Sequence, residues 1–338
     1  MGAVPLTQTK TKEASIQTLV DLVAGDMEKV NQLILSKAGS NVDLIPEIAR
    51  HLIDSGGKRL RPMLTLAFAK MFDYGSEQGD VILAASVEFM HTATLLHDDV
   101  VDESDMRRGK LAARKLWGNQ ASVLVGDYLL GQAFKMMVDV GSLEALRILS
   151  EASAIIAEGE VLQLGAAQDT NTTEAQYMQV IEAKTAALFA AACEVGPEIC
   201  DQGSKMRQVA RKFGMDLGLA FQLVDDALDY GGSAKDLGKD VGDDFHEGKI
   251  TLPIIYAIQR GTQEDRVFWK RCLEEGDIKD GDLDYAIDLL KSTGALADTI
   301  KRARDFGASA IEALDELPDG ECKEALRESV EFCIARVS

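Results

Sequence analysis

Residues 91–109 read HTATLLHDDVVDESDMRRG, an apolar stretch that ends in a group of aspartates and two arginines. On a helix, Asp98 and Asp102 are four residues apart and Asp99 lies three residues before Asp102, so the three carboxylates occupy adjoining positions on one face. Three like charges this close repel one another, and a cation or raised pKa values must offset the cost. The stretch therefore predicts a helix whose C-terminal end forms an acidic site.

A second stretch, FQLVDDALDY at residues 221–230, repeats this spacing with Asp225, Asp226 and Asp229. Both triplets follow apolar residues at the C-terminal end of a predicted helix, where carboxylates oppose the helix dipole. A single triplet is explained as well by a solvated acidic surface as by a binding site. Two triplets with identical spacing favour a shared binding site. Oxygen ligands in this number favour Mg²⁺, which shares its coordination shell with substrate phosphates. The two triplets predict facing helices that hold a magnesium–diphosphate complex.

Most of the chain has the pattern of α-helices. Apolar residues recur at intervals of three and four from about residue 12 to residue 315, and no stretch alternates with period two for long enough to indicate a sheet. Helices are expected at about 118–139, 142–167, 174–195 and 204–230. A loop is expected at 104–115, and residues 1–11 are expected to be flexible. The pattern predicts an all-α fold with residues 1–338 in a single domain.

Local signals indicate where helices begin and where a second loop interrupts them. Ser76 can cap the long helix that carries the first triplet, and Thr173 with Gln176 can form a capping box. Residues 231–249 contain five glycines and no apolar period, and a loop of this length inside a compact domain is usually functional. We interpret it as a lid over the acidic site.

The composition excludes some classes of partner. The 36 basic and 56 acidic side chains give a net charge of -20, so a nucleic-acid surface, which needs a basic face, is not expected. The five cysteines show no CxxC spacing, which favours reduced thiols and a cytoplasmic protein. The first residues lack an apolar signal core, and no run of about 18 unbroken apolar residues occurs, so no transmembrane segment is expected.

Basic residues accompany both acidic stretches. The sequence GGKRLRP places Lys58 and Arg61 beside two glycines, whose backbone N–H groups can approach an anion closely. Arg107 and Arg108 directly follow the first triplet. Lys184 lies on an apolar helix, where a charge is costly without a partner. The long loop adds Lys235, Lys239 and Lys249.

Seven motifs, in this order along the chain, together resemble the trans-isoprenyl diphosphate synthase family: GGKRLRP, HDDVVDESDMRRG, GEVLQL, KTAALFAA, FQLVDDALDY, LGKDVGDD and EGKITLP. The stretch around the first triplet is most similar to that of long-chain octaprenyl, solanesyl and decaprenyl diphosphate synthases. The match covers about residues 50–260, and residues 260–338 are matched only by helical character. The resemblance implies one large antiparallel helical bundle of the isoprenoid synthase type with a central active-site cavity.

The same resemblance implies a reaction and its partners. Members of this family catalyse magnesium-dependent, sequential 1'-4 condensations of isopentenyl diphosphate onto an allylic diphosphate. The expected product is an octaprenyl to decaprenyl diphosphate for quinone side chains. Three Mg²⁺ ions per site and a homodimer are implied, and release of so apolar a product is compatible with a peripheral membrane contact.

Each matched residue takes an expected role from the family. Mg²⁺ is expected to bind Asp98, Asp102 and Asp225, with assistance from Asp99, Asp226 and Asp229. The allylic diphosphate is expected to contact Arg107, Lys184 and Lys239. The allylic cation is expected to be stabilised by Thr185 and Gln222. Isopentenyl diphosphate is expected to contact Lys58, Arg61, His91 and Arg108. The carboxylates together with Lys184 and Gln222 form the implied catalytic set.

Two further predictions concern the helix before Asp98. His91 lies seven residues, or two turns, before Asp98, which together with the family pattern favours a place in the substrate site over an ordinary core histidine. A product whose diphosphate stays with the metals must lengthen into the protein along this helix. Ala93 and Thr94 are small, and Met90 lies one turn deeper. Small residues also occur in plain helix packing, but beside these motifs they predict an open tunnel and a long product.

Three alternatives use the same features. A terpene cyclase also has an aspartate-rich helix, but it needs no second diphosphate site of the kind that GGKRLRP with Arg108 provides. A di-iron carboxylate bundle requires two ExxH motifs, and Glu88 with His91 supplies a single one. A non-catalytic subunit of a heteromeric synthase is expected to lose an acidic triplet, and both triplets are present.

Overall fold

The computed structural model of the chain describes residues 14–75, 78–166, 168–231 and 242–337, and its regular structure is almost entirely helical. In chain order the described elements are α1 (Gln17–Lys37), α2 (Leu44–Ile53), α3 (Leu60–Met71), α4 (Gly79–Val101), β1 (Met106–Arg107), β2 (Lys110–Leu111), α5 (Ala113–Trp117), α6 (Asn119–Val140), α7 (Leu143–Ala166), α8 (Glu174–Ile181), the π-helical turn π1 (Glu182–Ala186), α9 (Ala187–Ile199), α10 (Ser204–Gly231), α11 (Asp243–His246), α12 (Leu252–Arg260), α13 (Gln263–Trp269), the π-helical turn π2 (Lys270–Glu274), α14 (Asp282–Ser292), α15 (Ala295–Leu314) and α16 (Glu321–Ala335). The all-α prediction is confirmed.

The main hydrophobic core lies chiefly between α1, α3, α4, α6, α7, α9 and α10. α9 is buried on every side from Ala187 to Pro197, as expected of a helix that has no polar face. α3 is buried from Pro62 to Ala69 in the same way. The rings of Phe68 on α3 and Phe213 on α10 pack with their centroids 5.6 Å apart. These three helices therefore form the centre of the bundle.

Two smaller cores extend the main one, and α10 contributes to all three. Phe213 belongs to the main core, Leu223 to a second core near α12, and Tyr230 to a third core around Trp269. The C-terminal part of α10, which carries the second acidic triplet, is thus held by packing on several sides.

α4 carries the first triplet and runs through the core. Among the described residues it is the one helix long and apolar enough, by length and composition, to cross a membrane. However, 72% of its apolar window is buried inside the fold, where α4 packs against α3 and α6. α4 is therefore a core helix that delivers its last turn to the site.

α10 approaches α9 and π1 closely because two glycines face them. A Cβ atom on Gly218 would lie 2.6 Å from Cα of Ala186, and one on Gly214 would lie 2.8 Å from Cα of Ala190. Larger side chains at these glycines would force α10 away from π1. The glycines thus set the distance between the second triplet and Lys184, which lies in π1.

The predicted helices appear close to their expected bounds as α6, α7, α8 with α9, and α10. The capping box of Thr173 and Gln176 is confirmed, since both of its hydrogen bonds are present. Ser76, residues 1–11 and most of the predicted lid, including Lys235 and Lys239, lie outside the described residues.

Two predicted segments contain local structure that the sequence did not indicate. The helix predicted at 174–195 is interrupted by π1. The loop predicted at 104–115 contains a short antiparallel hairpin, in which Met106 pairs with Leu111, followed by α5. Both residues of its tight turn, Arg108 and Gly109, have positive φ angles of 51° and 74°, as two-residue hairpin turns require. Strands of two residues are too short to produce a period-two pattern.

Candidate active site

The first acidic triplet lies at the C-terminal end of α4, with each carboxylate near a cation of the chain. Oδ2 of Asp98 lies 3.9 Å from Nζ of Lys184. Asp99 is fully buried, and its Oδ1 accepts a hydrogen bond of 2.6 Å from Nε of Arg107. Since Arg107 belongs to β1, the hairpin that follows α4 folds back to neutralise the triplet.

The second triplet lies in the last turns of α10. Oδ1 of Asp225 accepts a hydrogen bond of 2.7 Å from Nη1 of Arg336. Asp226 is buried and accepts hydrogen bonds from the hydroxyl of Tyr177 and from Nε2 of Gln222, the latter at 2.9 Å. The two neighbouring carboxylates therefore differ, because one is paired with a cation and the other is bonded to neutral donors.

The described part of the predicted lid, from Gly242 to Lys249, returns to both triplets. The backbone N–H groups of Gly242 and Asp244 donate to the carbonyl and the carboxylate of Asp229, at 2.9 and 3.1 Å. Nζ of Lys249 then lies 3.0 Å from Oδ2 of Asp102. This segment consequently joins the end of α10 to the end of α4.

The π-helical turn π1 directs two neighbouring side chains to different helices. Nζ of Lys184 donates to Glu160 at 2.8 Å and to Gln163 at 2.9 Å, both on α7. The hydroxyl of Thr185 donates to Oε1 of Gln222 on α10 at 2.8 Å. π-Helical turns occur frequently at functional sites, and this one places a cation and a hydroxyl beside both triplets.

A cavity of about 360 Å³ lies between the two acidic helix ends. Its walls come from α4, α7, α8, π1, α10, the described part of the predicted lid and the two residues that follow it. Its polar lining includes Asp102, Glu160, Lys184, Thr185, Gln222 and Asp226, and its apolar lining includes Val101, Leu164, Val180 and Ile181. The cavity thus presents charge at the helix ends and an apolar wall beside them.

Burial raises the pKa of several carboxylates at this cavity. It raises the pKa of Asp98, an effect that the charge of Asp102 reinforces. Burial and the charge of Asp244 raise the pKa of Asp226 to about 8. Burial and the charge of Asp98 also raise the pKa of Glu160. A divalent cation would favour the ionised form of each group.

The oxygen donors of the site fit Mg²⁺. Oδ2 of Asp99 and Oε1 of Glu160 are buried without a hydrogen-bond partner. Within the described part of the chain, no three acidic, His or Cys side chains converge closely enough to hold a metal ion by themselves. Mg²⁺ commonly binds one or two carboxylates and takes its other ligands from substrate phosphates and water. The two helix ends can hold such an ion together with a diphosphate.

A cluster of basic side chains surrounds His91 on α4 and is called the basic pocket below. Burial lowers the pKa of His91 well below 6.5, and the charges of four arginines lower it further: Arg61, Arg108, Arg107 and Arg59. A Cβ atom on Gly57 would lie 2.7 Å from Nη1 of Arg108, so the guanidinium rests against bare backbone. The pocket combines a neutral imidazole with several fixed positive charges, which suits an anionic ligand.

Arg61 is the most deeply buried cation of this pocket. Burial lowers its pKa to about 10, and its guanidinium carbon lies 4.1 Å from the centroid of the Phe189 ring. Its Nε atom is buried without a hydrogen-bond partner. Nearby, Arg59 pairs with the buried carboxylate of Glu88 at 2.8 Å. A buried charge with an unused donor is costly, so we expect Arg61 to complete its hydrogen bonds with a bound anion.

Comparisons with known proteins agree on one family. The model of the polyprenyl synthetase family matches residues 42–290. Octaprenyl diphosphate synthase of Escherichia coli is 44% identical over 312 residues, which cover 92% of this chain and 96% of that protein. The chain belongs to the polyprenyl synthetase family.

Solved structures of family members have the same fold. A polyprenyl synthase from Caulobacter crescentus, crystallised with calcium and isoprenyl diphosphate, superimposes with a TM-score of 0.93 at 47% identity and covers 97% of this chain and 99% of its own. A decaprenyl diphosphate synthase from Rhodobacter capsulatus gives a TM-score of 0.91 at 48% identity, covering 96% and 100%. These matches confirm the isoprenoid synthase type of helical fold.

The family assignment also confirms the predicted class of activity. As a polyprenyl synthetase, the chain is a prenyltransferase of isoprenoid biosynthesis and a long-chain trans-polyprenyl diphosphate synthase. The family is magnesium-dependent and uses isopentenyl and allylic diphosphates.

The fold brings most of the predicted site residues of this synthase together. Around the cavity lie Asp98, Asp99, Asp102, Arg107, Lys184, Thr185, Gln222, Asp225, Asp226 and Asp229. The basic pocket contains Arg61, His91 and Arg108, whereas Lys58 lies within electrostatic range of Asp225 and Arg336. Lys239 falls outside the described residues. The individual roles of these residues stay predictions.

The residues predicted to set product length lie deeper on α4. Met90 and Ala93 are buried in the main core, and the hydroxyl of Thr94 donates to the carbonyl of His91 at 2.8 Å. None of the three is among the residues that line the described cavity. Their role in chain length is therefore still a prediction.

Four residues that contact the site were not predicted from the sequence: Glu160, Gln163, Tyr177 and Arg336. Glu160 and Gln163 belong to the motif GEVLQL and lie three residues apart on one face of α7, so their spacing was an available signal. Tyr177 and Arg336 have no comparable local pattern.

Proposed function

We propose that this prenyltransferase extends an allylic diphosphate to an octaprenyl to decaprenyl diphosphate for quinone side chains. The observation that carries the proposal is a cavity bordered by two acidic helix ends, with a separate basic pocket beside it. A condensing enzyme needs two diphosphate sites, one for each substrate, and these two features supply them. The names of the E. coli and R. capsulatus proteins, an octaprenyl and a decaprenyl diphosphate synthase, support the length of the product.

In this proposal, Asp98 on α4, Asp102 directly after α4 and Asp225 on α10 would hold three Mg²⁺ ions. When bound, the ions act as Lewis acids that stabilise negative charge on the departing diphosphate. Asp99 orients Arg107 through their hydrogen bond of 2.6 Å. Arg107 and Lys184 would then donate to the oxygens of the same diphosphate. The predicted role of Lys239 there concerns a residue outside the described ranges.

The allylic C–O bond breaks with its electron pair leaving on the diphosphate, and an allylic cation remains. Gln222 is oriented for this cation because Nε2 donates to Asp226 at 2.9 Å, which turns Oε1 towards Thr185. An amide oxygen has two lone pairs, and the one that Thr185 does not use can stabilise the cation.

Isopentenyl diphosphate binds in the basic pocket, held by Lys58, Arg61, His91 and Arg108. Its double bond attacks the allylic cation, and a C–C bond forms between C1 of the cation and C4 of isopentenyl diphosphate. The resulting cation loses a proton from C2, and the released pyrophosphate is the nearest base. Arg61 is suited to hold the second substrate near the cation because it lies within electrostatic range of Asp225 in the second triplet.

We further propose that the chain is one catalytic domain that works as a cytoplasmic homodimer, with a membrane contact on product release. Support for the dimer comes from α6, which exposes Leu124, Gly131 and Val138 at intervals of seven residues on the face opposite the core. Two turns separate successive members of this row, so they form one apolar strip. A second copy of the chain is its expected partner.

Incubation of the purified protein with farnesyl diphosphate, isopentenyl diphosphate and Mg²⁺, followed by mass analysis, tests this function. We expect octaprenyl to decaprenyl diphosphate, and a longest product shorter than octaprenyl diphosphate would contradict the proposal. Asp98→Ala and Asp225→Ala should each lower turnover by several orders of magnitude without unfolding the protein. Asp105→Ala is the matched control, because this exposed carboxylate pairs with Arg114 and Lys115 outside the triplet. Full activity in EDTA would exclude the magnesium mechanism.

A further inference from the structure

The last helix of the chain brings a cation into the active site. α16 is anchored by buried residues on its inner face, among them Val330 and Cys333. Arg336 follows the helix directly, and the backbone N–H of the next residue, Val337, donates to the carbonyl of Ile334 at 3.4 Å. Because the helix is fixed by packing, the position of Arg336 is set by the fold.

Arg336 is held on both sides. Its Nη1 atom donates to Oδ1 of Asp225 at 2.7 Å, and its guanidinium carbon lies 5.5 Å from the centroid of the Phe221 ring. Only 19% of its side chain is exposed, against 39% for that of Asp225. A planar guanidinium between a carboxylate and an aromatic ring is an ordered contact.

The same end of α16 also touches Lys58, one of the residues proposed to bind isopentenyl diphosphate. Nζ of Lys58 lies 5.0 Å from the centroid of the Phe332 ring. Burial lowers the pKa of Lys58, and the charge of Arg336 lowers it further, while Asp225 raises it. Lys58, Arg336 and Asp225 are therefore within electrostatic reach of one another, and α16 borders both proposed diphosphate sites.

We propose that Arg336 is a displaceable counter-ion of Asp225, which a divalent cation must replace in order to bind this carboxylate. The inference rests on the proposed role of Asp225 as a metal ligand. A guanidinium at 2.7 Å from Oδ1 and a divalent ion on the same carboxylate would repel each other strongly. Binding of the ion releases Arg336, and the last turn of α16 loses its polar anchor. Arg336 is thus a positioning residue that couples metal binding to the C-terminal end of the chain.

Binding of Mn²⁺, used as a paramagnetic substitute for Mg²⁺, tests the competition without any turnover. Electron paramagnetic resonance of free Mn²⁺ gives the affinity of the wild type and of Arg336→Gln. A partly exposed ion pair contributes up to about 1 kcal/mol, so Arg336→Gln should bind Mn²⁺ about two- to fivefold more tightly. Arg327→Gln is the matched control, because Arg327 is on the same helix and pairs with Asp315 and Glu324, at 3.8 and 3.7 Å, away from the triplets.

Asp225→Asn distinguishes failure of this inference from failure of the proposed function. If Asp225→Asn binds Mn²⁺ as tightly as the wild type, Asp225 is not a ligand, and both the ligand assignment and the competition are wrong. If Asp225→Asn weakens binding while Arg336→Gln leaves it unchanged or weaker, the assignment stands and the competition alone is wrong. If Arg336→Gln tightens Mn²⁺ binding in the wild-type background but not in the background of Asp225→Asn, the competition is confirmed.

Hydrogen exchange provides a second readout that a purely structural arginine would not change. Saturating Mn²⁺ should accelerate exchange of the backbone amides of residues 332–337 in the wild type, since the helix end has lost its anchor. In Arg336→Gln these amides should exchange fast with or without Mn²⁺. Slower exchange in the wild type on adding Mn²⁺ would overturn the proposal.

Discussion

His91 is a neutral side chain among cations. Burial holds its pKa well below 6.5, and the charges of four neighbouring arginines lower it further: Arg61, Arg108, Arg107 and Arg59. The unfolded chain takes up a proton here below about pH 6.5 whereas the folded chain does not, so the folded state loses stability as the pH falls through that range. We predict that His91→Gln removes this loss, which amounts to at most about 1.4 kcal/mol per pH unit.

Urea denaturation of both proteins between about pH 7.5 and pH 5 measures the effect. As the pH falls, the free energy of unfolding of His91→Gln should rise relative to that of the wild type. Curves that stay parallel across this range would show that the folded pocket accepts the proton as readily as the unfolded chain.

At the scale of residues, the sequence identified those whose spacing is itself the signal. Asp98 and Asp102 lie together because a helix turns once in 3.6 residues, whatever surrounds it. Arg336 contacts Asp225 from 111 positions away. Only the packing of α16 brings these two together, and no local pattern encodes that packing. The hydroxyl of Tyr177 reaches Asp226 in the same non-local way.

Among the elements, π1 depends on a glycine of the neighbouring helix. A Cβ atom on Gly159 of α7 would lie 2.7 Å from Cβ of Ala183 and 3.1 Å from the backbone nitrogen of Lys184. Gly159→Ala should therefore push π1 away from α7, separate Lys184 from Glu160 and lower turnover sharply. Overpacking of this kind costs about 1–3 kcal/mol, which chemical denaturation can measure.

Gly165→Ala is the control for this prediction because it is on the same helix and a Cβ atom there meets nothing within 4 Å. Alanine favours a helix over glycine, so this variant should be as active as the wild type and slightly more stable. Equal turnover of the two variants would show that the contact between α7 and π1 does not position Lys184.

A second prediction at this scale concerns α4 and product length. Ala93 is buried on α4, five residues before Asp98, and a phenylalanine there would block growth of the product along the helix. Ala93→Phe should shorten the product to roughly three or four isoprene units, given a rise of about 1.5 Å per residue, while the first condensations continue. Mass analysis of the products, with thermal denaturation to verify folding, decides it. An unchanged long product would place the tunnel along another helix.

The sequence predicted the long helices because their apolar periods extend over many turns. It did not predict π1, since the apolar pattern of VIEAKTAALFAAA continues through the turn and the extra residue leaves no mark on it. Nor did it predict the hairpin formed by β1 and β2, which depends on the backbone conformation of Arg108 and Gly109. At this scale, the sequence pattern does not reveal local departures of the backbone from regular α-helical or loop geometry.

For the whole molecule, the apolar strip of α6 leads to a prediction about assembly. Leu124 and Val138 are 66% and 62% exposed, and Gly131 between them has open space around it. If a second copy covers this strip, Leu124→Glu places a carboxylate against its own symmetry mate and should yield a monomer. Light scattering after gel filtration measures the change.

Val267→Glu is the control for the assembly prediction, because Val267 on α13 is 61% exposed but is far from α6 in the chain. This variant should keep the assembly of the wild type. A wild type that is already monomeric, or a Leu124→Glu variant that assembles normally, would place the interface elsewhere or exclude it.

At the scale of the whole molecule, the helical periods and the seven motifs predicted the class of fold. The net charge of -20 says nothing of where the positive charges gather. Arg61, Arg108 and His91 come from α3, the hairpin turn and α4, and they meet only after these elements pack. The basic pocket is thus a property of tertiary structure, and the motifs pointed to it only by analogy.

The pairing of acidic side chains with cations of the chain has a consequence for the order of events in turnover. Asp98, Asp99, Asp102 and Asp225 each lie beside a lysine or arginine. A bare metal ion binds less tightly here than a metal complexed to diphosphate, because it must detach those partners and gives them no new ones. A metal already complexed to diphosphate offers the detached lysines and arginines new phosphate oxygens. Magnesium should therefore bind together with the substrate diphosphate and leave with pyrophosphate. The rate of turnover should then follow the concentration of the magnesium–diphosphate complex and not that of the free ion.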